Sequence, residues 1–249
     1  MLTDPAFLVA AILAVTLLGL AKGGFAGLGA LATPLLALTI APVAAAAILL
    51  PILIVQDVVS VWAFRKTWDR RIVLIMLPGA LVGVAGGWFF ADRLSGDAVM
   101  AALGGISIIF GLWRLWLERG GRQPLASNSP GWVGTLFGAA TGFTSLIAHA
   151  GGPPFQMWVG PKRLPHESFV GTSSVLFAVI NWVKLPAYLA LGQFTPANLT
   201  VSAALVPLAI ISTFAGVWLI RRMDAARFYT MTYLLMVALG AKLVFDAIG

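Results

Sequence analysis

Long apolar runs separated by brief polar punctuation make up most of the chain. Uninterrupted runs cover residues 5–21, 43–64, 72–91, 98–117, 169–191, 199–220 and 228–248. Each suits the roughly 30 Å hydrocarbon core that about 20 helical residues cross, so seven transmembrane helices are predicted. Two further stretches, 23–40 and 132–159, are equally apolar but interrupted by Gly and Pro. These predict broken helices or hairpins rather than straight rods. Asp4, not a positively charged region, precedes the first run, which is therefore read as a retained span and not a signal peptide.

The one truly polar interval, residues 118–129 (ERGGRQPLASNS), falls near the midpoint. It divides the chain into a first repeat, 1–117, a linker, 118–129, and a second repeat, 130–249. A shift of 129 lays Pro78 on Pro207, Gly87 on Gly216, Arg93 on Arg222 and Gly111 on Gly240, and a different shift of 123, implying small insertions, places the Gly-rich 23–34 segment on the 148–157 segment. Basic residues cluster at Arg65, Lys66, Arg70 and Arg71; at Arg114, Arg119 and Arg122; at Lys162 and Arg163; and at Arg221, Arg222 and Arg227. All four clusters are expected on the cytoplasmic side. The uncharged 192–197 loop and the 92–97 loop, with one Arg against two Asp, then face outward. Each half crosses an odd number of times, which gives inverted-topology repeats with both termini outside. The expected fold is thus an all-α polytopic membrane protein, each repeat holding a broken or re-entrant segment followed by three transmembrane helices, the plan of many secondary transporters.

Composition strengthens the membrane reading. The 249 residues are 60% hydrophobic and 10% charged, against about 45–50% and 25% in soluble domains, and one soluble core of this length could not hide so many apolar side chains. Without cysteine, disulfides, thiolate metal sites and thiol nucleophiles are closed. The formal charge of +7 sits in loops between apolar runs, so it speaks for membrane orientation and not for nucleic acid.

The first break, residues 19–36, reads GLAKGGFAGLGALATPLL. Gly23, Gly24, Gly27 and Gly29 expose backbone N–H groups, and a half-helix beginning there would turn its donors and positive dipole end toward an anion. Lys22 adds a full charge. The structural alternative is that Gly-x-x-x-Gly spacing lets helices pack closely while Lys22 snorkels to an interface. The second break, 140–158, sets Thr144, Ser145, His149 and Gln156 among Gly151, Gly152, Pro153 and Pro154. Two prolines stop a helix from running through, and the freed backbone groups call for a polar cavity. His149 is a candidate anion donor or proton relay; His166 reads as interfacial.

Asp57 lies within an apolar span, where a carboxylate costs about 2.5–3.5 kcal/mol even on the lenient insertion scale. It needs Lys22 or Lys184 as a partner, or a proton in a coupling cycle; a purely structural ion pair is the rival reading. At a shift of 124, Asn181 falls on Asp57, and with Thr172 and Ser173 it completes the candidate binding set. Lys184, followed by Pro186, is expected near the interface.

At its two breaks the sequence resembles the TauE/SafE family of sulfite and organosulfonate exporters. The resemblance lies in GGFAGLGALATP at 23–34 and AHAGGPP at 148–154, and in the paired stretches LPGALVGVAGGWFFADRL and VPLAIISTFAGVWLIRRM at 77–94 and 206–223. It covers nearly the whole chain and implies movement of sulfur-containing anions across the cytoplasmic membrane. The expected function is secondary transport of a small oxyanion such as sulfite, sulfoacetate or another organosulfonate, in the direction of export, with a passive anion channel as the alternative. No Walker-type motif is present, so ATP is not a direct drive. Two histidines, no cysteine and one deep carboxylate argue against an intramembrane enzyme. No cofactor is expected; protons are the candidate coupling ion, and a homodimer stays open.

Overall fold

The computed structural model describes residues 1, 3–23, 28–91, 95–119, 129–219 and 226–248, and among these there is no strand. Ten α-helices follow one another: α1 Pro5–Gly23, α2 Ala32–Ala37, α3 Pro42–Phe64, α4 Arg70–Ala91, α5 Gly96–Arg119, α6 Gly131–Ala148, α7 Gly152–Val159, α8 His166–Ala190, α9 Pro196–Leu219 and α10 Ala226–Ile248. Single 3-10 turns at Leu28–Leu31 and Gly160–Lys162 flank α2 and α7. All seven uninterrupted runs are helices. Both Gly/Pro stretches are broken, the second between Ala148 and Gly152. Among the described residues α1, α3, α4, α8 and α9 are each long and apolar enough to cross a membrane. The protein is therefore a multi-pass membrane protein. Large apolar side chains on its outer face, among them Val9, Val82, Phe89, Trp132, Ile211 and Phe245, are exposed, as lipid contact requires.

Prolines sit inside four of these helices, at 51, 78, 186 and 207. Each removes one backbone hydrogen bond, a loss that neighbouring helices make good in membrane bundles. Pro42 instead opens α3, behind Ala41 with extended backbone, where its missing N–H costs nothing.

Glycine decides which helices touch. A Cβ on Gly79 or Gly83 of α4 would overlap the backbone oxygens of Thr135 and Ala139 in α6, and Gly138 and Gly142 of α6 meet Met76 and Ala80 in the same way. The rising register shows that α4 and α6 run in the same direction. Gly19 and Gly23 of α1 lie just as close to Ser212 and Gly216 of α9, again in parallel. By contrast, α3 and α8 are antiparallel: Asp57 meets Asn181, and Ser60 meets Ser174. Gly104 and Gly240 bring α5 against α10. Replacing Gly83 with Ala is expected to cost about 1–3 kcal/mol of stability through overpacking. Gly86, one turn on, has nothing within 4 Å of the corresponding position, so Gly86→Ala should be neutral or stabilise by up to about 1 kcal/mol. Thermal unfolding of the two variants in detergent checks the contrast; equal losses would refute the seam.

Two basic loops meet at one end of the bundle. Thr67 Oγ1 donates to the Glu167 carbonyl oxygen at 3.3 Å, and the Asp69 N–H donates to Thr172 Oγ1 at 2.8 Å. Trp158 Nε1, donating to Ser129 Oγ at 2.9 Å, brings the end of the linker to the same region.

Candidate functional site

The site begins with the way α1 ends. α3 holds two of its carbonyls, one in the last turn and one mid-helix: Ser60 Oγ donates to the Lys22 carbonyl oxygen at 2.7 Å, and Gln56 Nε2 donates to that of Val15 at 3.2 Å. Lys22 is thereby fixed beside Asp57, with Nζ 2.5 Å from Asp57 Oδ1. Asn181 of α8 donates to the other carboxylate oxygen at 2.6 Å. Asp57 is 1% exposed and so has both oxygens engaged. Lys22 also stands over the Phe177 ring, 5.2 Å from its centroid.

The second break supplies the opposite wall. α6 stops at His149, whose backbone enters the left-handed region at φ 52°, an uncommon conformation outside glycine. Its N–H bonds back to the Ser145 carbonyl, and α7 starts three residues later with Pro153 and Pro154 in its first turn, where they fit. The ring is held at both nitrogens. Nε2 lies 2.8 Å from the Ala46 carbonyl oxygen, which can only accept, and Nδ1 lies 2.7 Å from Lys184 Nζ. The ring therefore carries its hydrogen on Nε2 and accepts on Nδ1. Lys184 is fully buried and also reaches the Ser145 carbonyl at 3.0 Å and Ser145 Oγ at 3.1 Å.

Between these walls lies a half-enclosed cavity of about 90 Å³, several times the roughly 10–15 Å³ that one water needs on the same measure and thus room for an anion of a few heavy atoms. Phe169, Ser173, Phe177 and Asn181 of α8 line one side; Leu18, Ala21 and Lys22 of α1, Gly29 and Leu53 line another; Ser145, His149, Gly152, Phe155 and Gln156 close it. Phe155 packs against Phe169 and Phe177, with centroids 5.3 and 5.7 Å away. Gln156 is 6% exposed, and its amide has no hydrogen-bond partner among the described residues.

Of the residues singled out in the sequence, Lys22, Gly29, His149, Gly152, Ser173 and Asn181 come together on this cavity, with Asp57 directly behind. Gly151 backs it, with Phe177, Thr141 and Ser145 too close to admit a Cβ. Gly23 faces the Gly216 backbone instead, so at this position helix packing is the observed role. Gly24 and Gly27 lie outside the described residues. Thr172 is away from the cavity, donating to the Ser168 carbonyl and accepting from Asp69. Lys184, expected near the interface, departs most from expectation: α8 continues through Pro186 to Ala190, and the amine is fully buried in the bundle. Sequence reasoning also left out the anchoring role of Ser145 and the free amide of Gln156. The signal for Lys184 was its spacing, since Phe169, Ser173, Phe177, Asn181 and Lys184 follow one another at intervals of four, four, four and three, one helical face.

Among the described residues no group of three His, Asp or Glu side chains could hold a metal ion. The arrangement is instead suited to reversible capture of a negative charge: the Lys22 ammonium and the amides of Gln156 and Asn181 face an apolar, aromatic-walled space. Sequence comparison matches residues 11–243 to the family described as Sulfite exporter TauE/SafE. No curated protein and no solved structure matches the chain.

Proposed function

The chain belongs to the TauE/SafE family of membrane transporters, and from that premise we propose that it is a secondary transporter that exports a small sulfur oxyanion, sulfite or an organosulfonate, through the cavity between α1, α6, α7 and α8. The observation that carries this reading is the set of donors on the cavity: the Lys22 ammonium, its carboxylate partner Asp57 standing behind it, and the Gln156 amide, unpartnered among the described residues. In a low-dielectric surrounding such a set favours an arriving anion. Lys22 supplies charge, Gln156 and Asn181 supply amide donors, and the three phenylalanines exclude water.

The two halves are taken as inverted repeats joined by a cytoplasmic linker, with both termini outside. Supporting this, α1 packs on α9 as α6 packs on α4, and each break's short helix packs on the long helix before it. Inverted equivalents must also run oppositely, as α3 and α8 do. The cavity extends along α8 from Phe169, in its first turn, to Asn181, near the middle, and so reaches toward the end bearing the basic loops. Beyond it, Ala45, Ala46, Ala47, Ile48, Leu49 and Leu50 are at most 1% exposed. That packing favours alternating access from a cytoplasm-facing state over a continuous pore.

Thermal stabilisation of the purified protein by sulfite, sulfate, thiosulfate, sulfoacetate, taurine and unrelated carboxylates tests the reading, because a ligand that binds only the folded state raises stability by mass action. Selective stabilisation by one sulfur oxyanion, followed by its flux in liposomes, is expected; stabilisation by carboxylates alone would overturn it. Gln156→Met should weaken binding of the selected anion by about ten- to a hundredfold, the worth of one hydrogen bond to a charged group, and leave the ligand-free melting temperature nearly unchanged. Undiminished affinity would remove Gln156 from the site.

A further inference from the structure

Lys184 raises a question that anion binding alone does not answer. A fully buried ammonium costs several kcal/mol unless a counter-ion is close. Asp57, the carboxylate nearest to hand, already serves Lys22 and Asn181. The groups around Lys184 Nζ are the Ser145 carbonyl, the Ser145 hydroxyl and His149 Nδ1. These suit either protonation state. An ammonium donates to all three; a neutral amine donates to the carbonyl and to Nδ1 and accepts from the hydroxyl, which can do either.

The charged and titratable groups that face this amine are few. His149 comes from the end of α6, Lys22 from α1, Asp57 from α3, and Tyr188 from one turn further along α8, stacked on the His149 ring at 6.1 Å. α7 carries no charged residue, and the two arginines of α4 lie in its first turn. In the empty site Lys22 and Asp57 cancel, so a neutral amine at Lys184 leaves no net charge in the membrane interior. An anion in the cavity, one side chain away across His149 and Ser145, supplies the missing counter-charge.

Resting on the transporter reading above, we infer that the Lys184–His149 pair is the coupling element: it takes up one proton when the anion binds and gives it back when the anion leaves. The balance is simple. A monovalent anion and one proton load together, the amine becomes an ammonium, and the site's net charge is unchanged, so the loaded and empty carriers cross equal electrical barriers and export runs down the anion's own concentration gradient. Coupling is reciprocal: bound anion strengthens proton binding, and protons strengthen anion binding.

The test is calorimetric titration of the wild-type protein with methanesulfonate, which has no titrating proton of its own, and with sulfite after subtraction of its own ionisation, in two buffers of different ionisation enthalpy. The expected result is uptake of about one proton per anion on the alkaline side, with affinity falling up to tenfold per pH unit as the pH rises. Lys184→Met should bind without uptake and without that slope. Ser145→Ala, which keeps the amine and removes one of its partners, should move the midpoint but retain the uptake. Wild-type binding with identical heats in both buffers and no pH slope would overturn the inference while leaving the transporter intact, as would uptake that survives in Lys184→Met. Failure of both anions to bind at any pH would overturn the inference together with the proposed site.

Discussion

Replacing Lys22 with Met is expected to reduce anion affinity by about a hundredfold or more, the scale on which truncating a buried, hydrogen-bonded charge acts. Two effects add. The ammonium that borders the cavity disappears, and Asp57, no longer neutralised, repels an incoming anion with the field of an unpaired buried carboxylate in a medium that screens poorly. Only one of the three Nζ hydrogens is needed for Asp57, so Lys22 holds donors in reserve for a ligand. To keep the folded state, the change is best made as Lys22→Met with Asp57→Asn, which removes the charge without stranding a carboxylate. Ligand-induced thermal shifts and flux in liposomes provide the readouts. Full-strength binding by the well-folded double variant would place the anion elsewhere.

The positions of the seven uninterrupted helices could be read directly, because a length of apolar residues matching the bilayer leaves helix as the only spanning structure for each run. The breaks were equally legible from Gly and Pro. Which polar residues converge was harder to see, since convergence depends on helical phase. Thr172 and Asn181 are nine residues apart, two and a half turns, and therefore lie on opposite faces of α8. One meets the loop after α3, the other Asp57. Ser173, one residue on, shares the face of Asn181 and lines the cavity. Lys184, expected near the interface because Pro186 follows it, is instead buried against Ser145 and His149: α8 passes through Pro186 to Ala190, and the carbonyl freed there can be satisfied by its surroundings. Gly23 illustrates the opposite ambiguity. A glycine that permits ligand approach and one that permits helix approach leave the same mark in a sequence, and only the partner, here Gly216, distinguishes them.

The ion pair itself yields the second large effect. Asp57→Ala leaves the Lys22 ammonium, 12% exposed, without its counter-ion and takes the acceptor from Asn181, so the ligand-free protein is expected to lose about 3–5 kcal/mol, as when one member of a buried pair is removed. Lys22→Met alone should cost a similar amount, for the converse reason. The combined variant Lys22→Met/Asp57→Ala should recover most of the loss, because an apolar pair needs no mutual compensation; the difference from additivity measures the coupling. A purely structural pair and a pair that borders a binding site part company when ligand is added. If the anion settles against Lys22, it substitutes for the missing carboxylate in Asp57→Ala, and the thermal shift on adding the anion should be larger in that variant than in the wild type. In Lys22→Met/Asp57→Ala it should vanish. An unfolding temperature of Asp57→Ala equal to the wild type's would show that the pair contributes nothing to the fold. An identical ligand shift in Asp57→Ala and the wild type would separate the ion pair from the anion altogether.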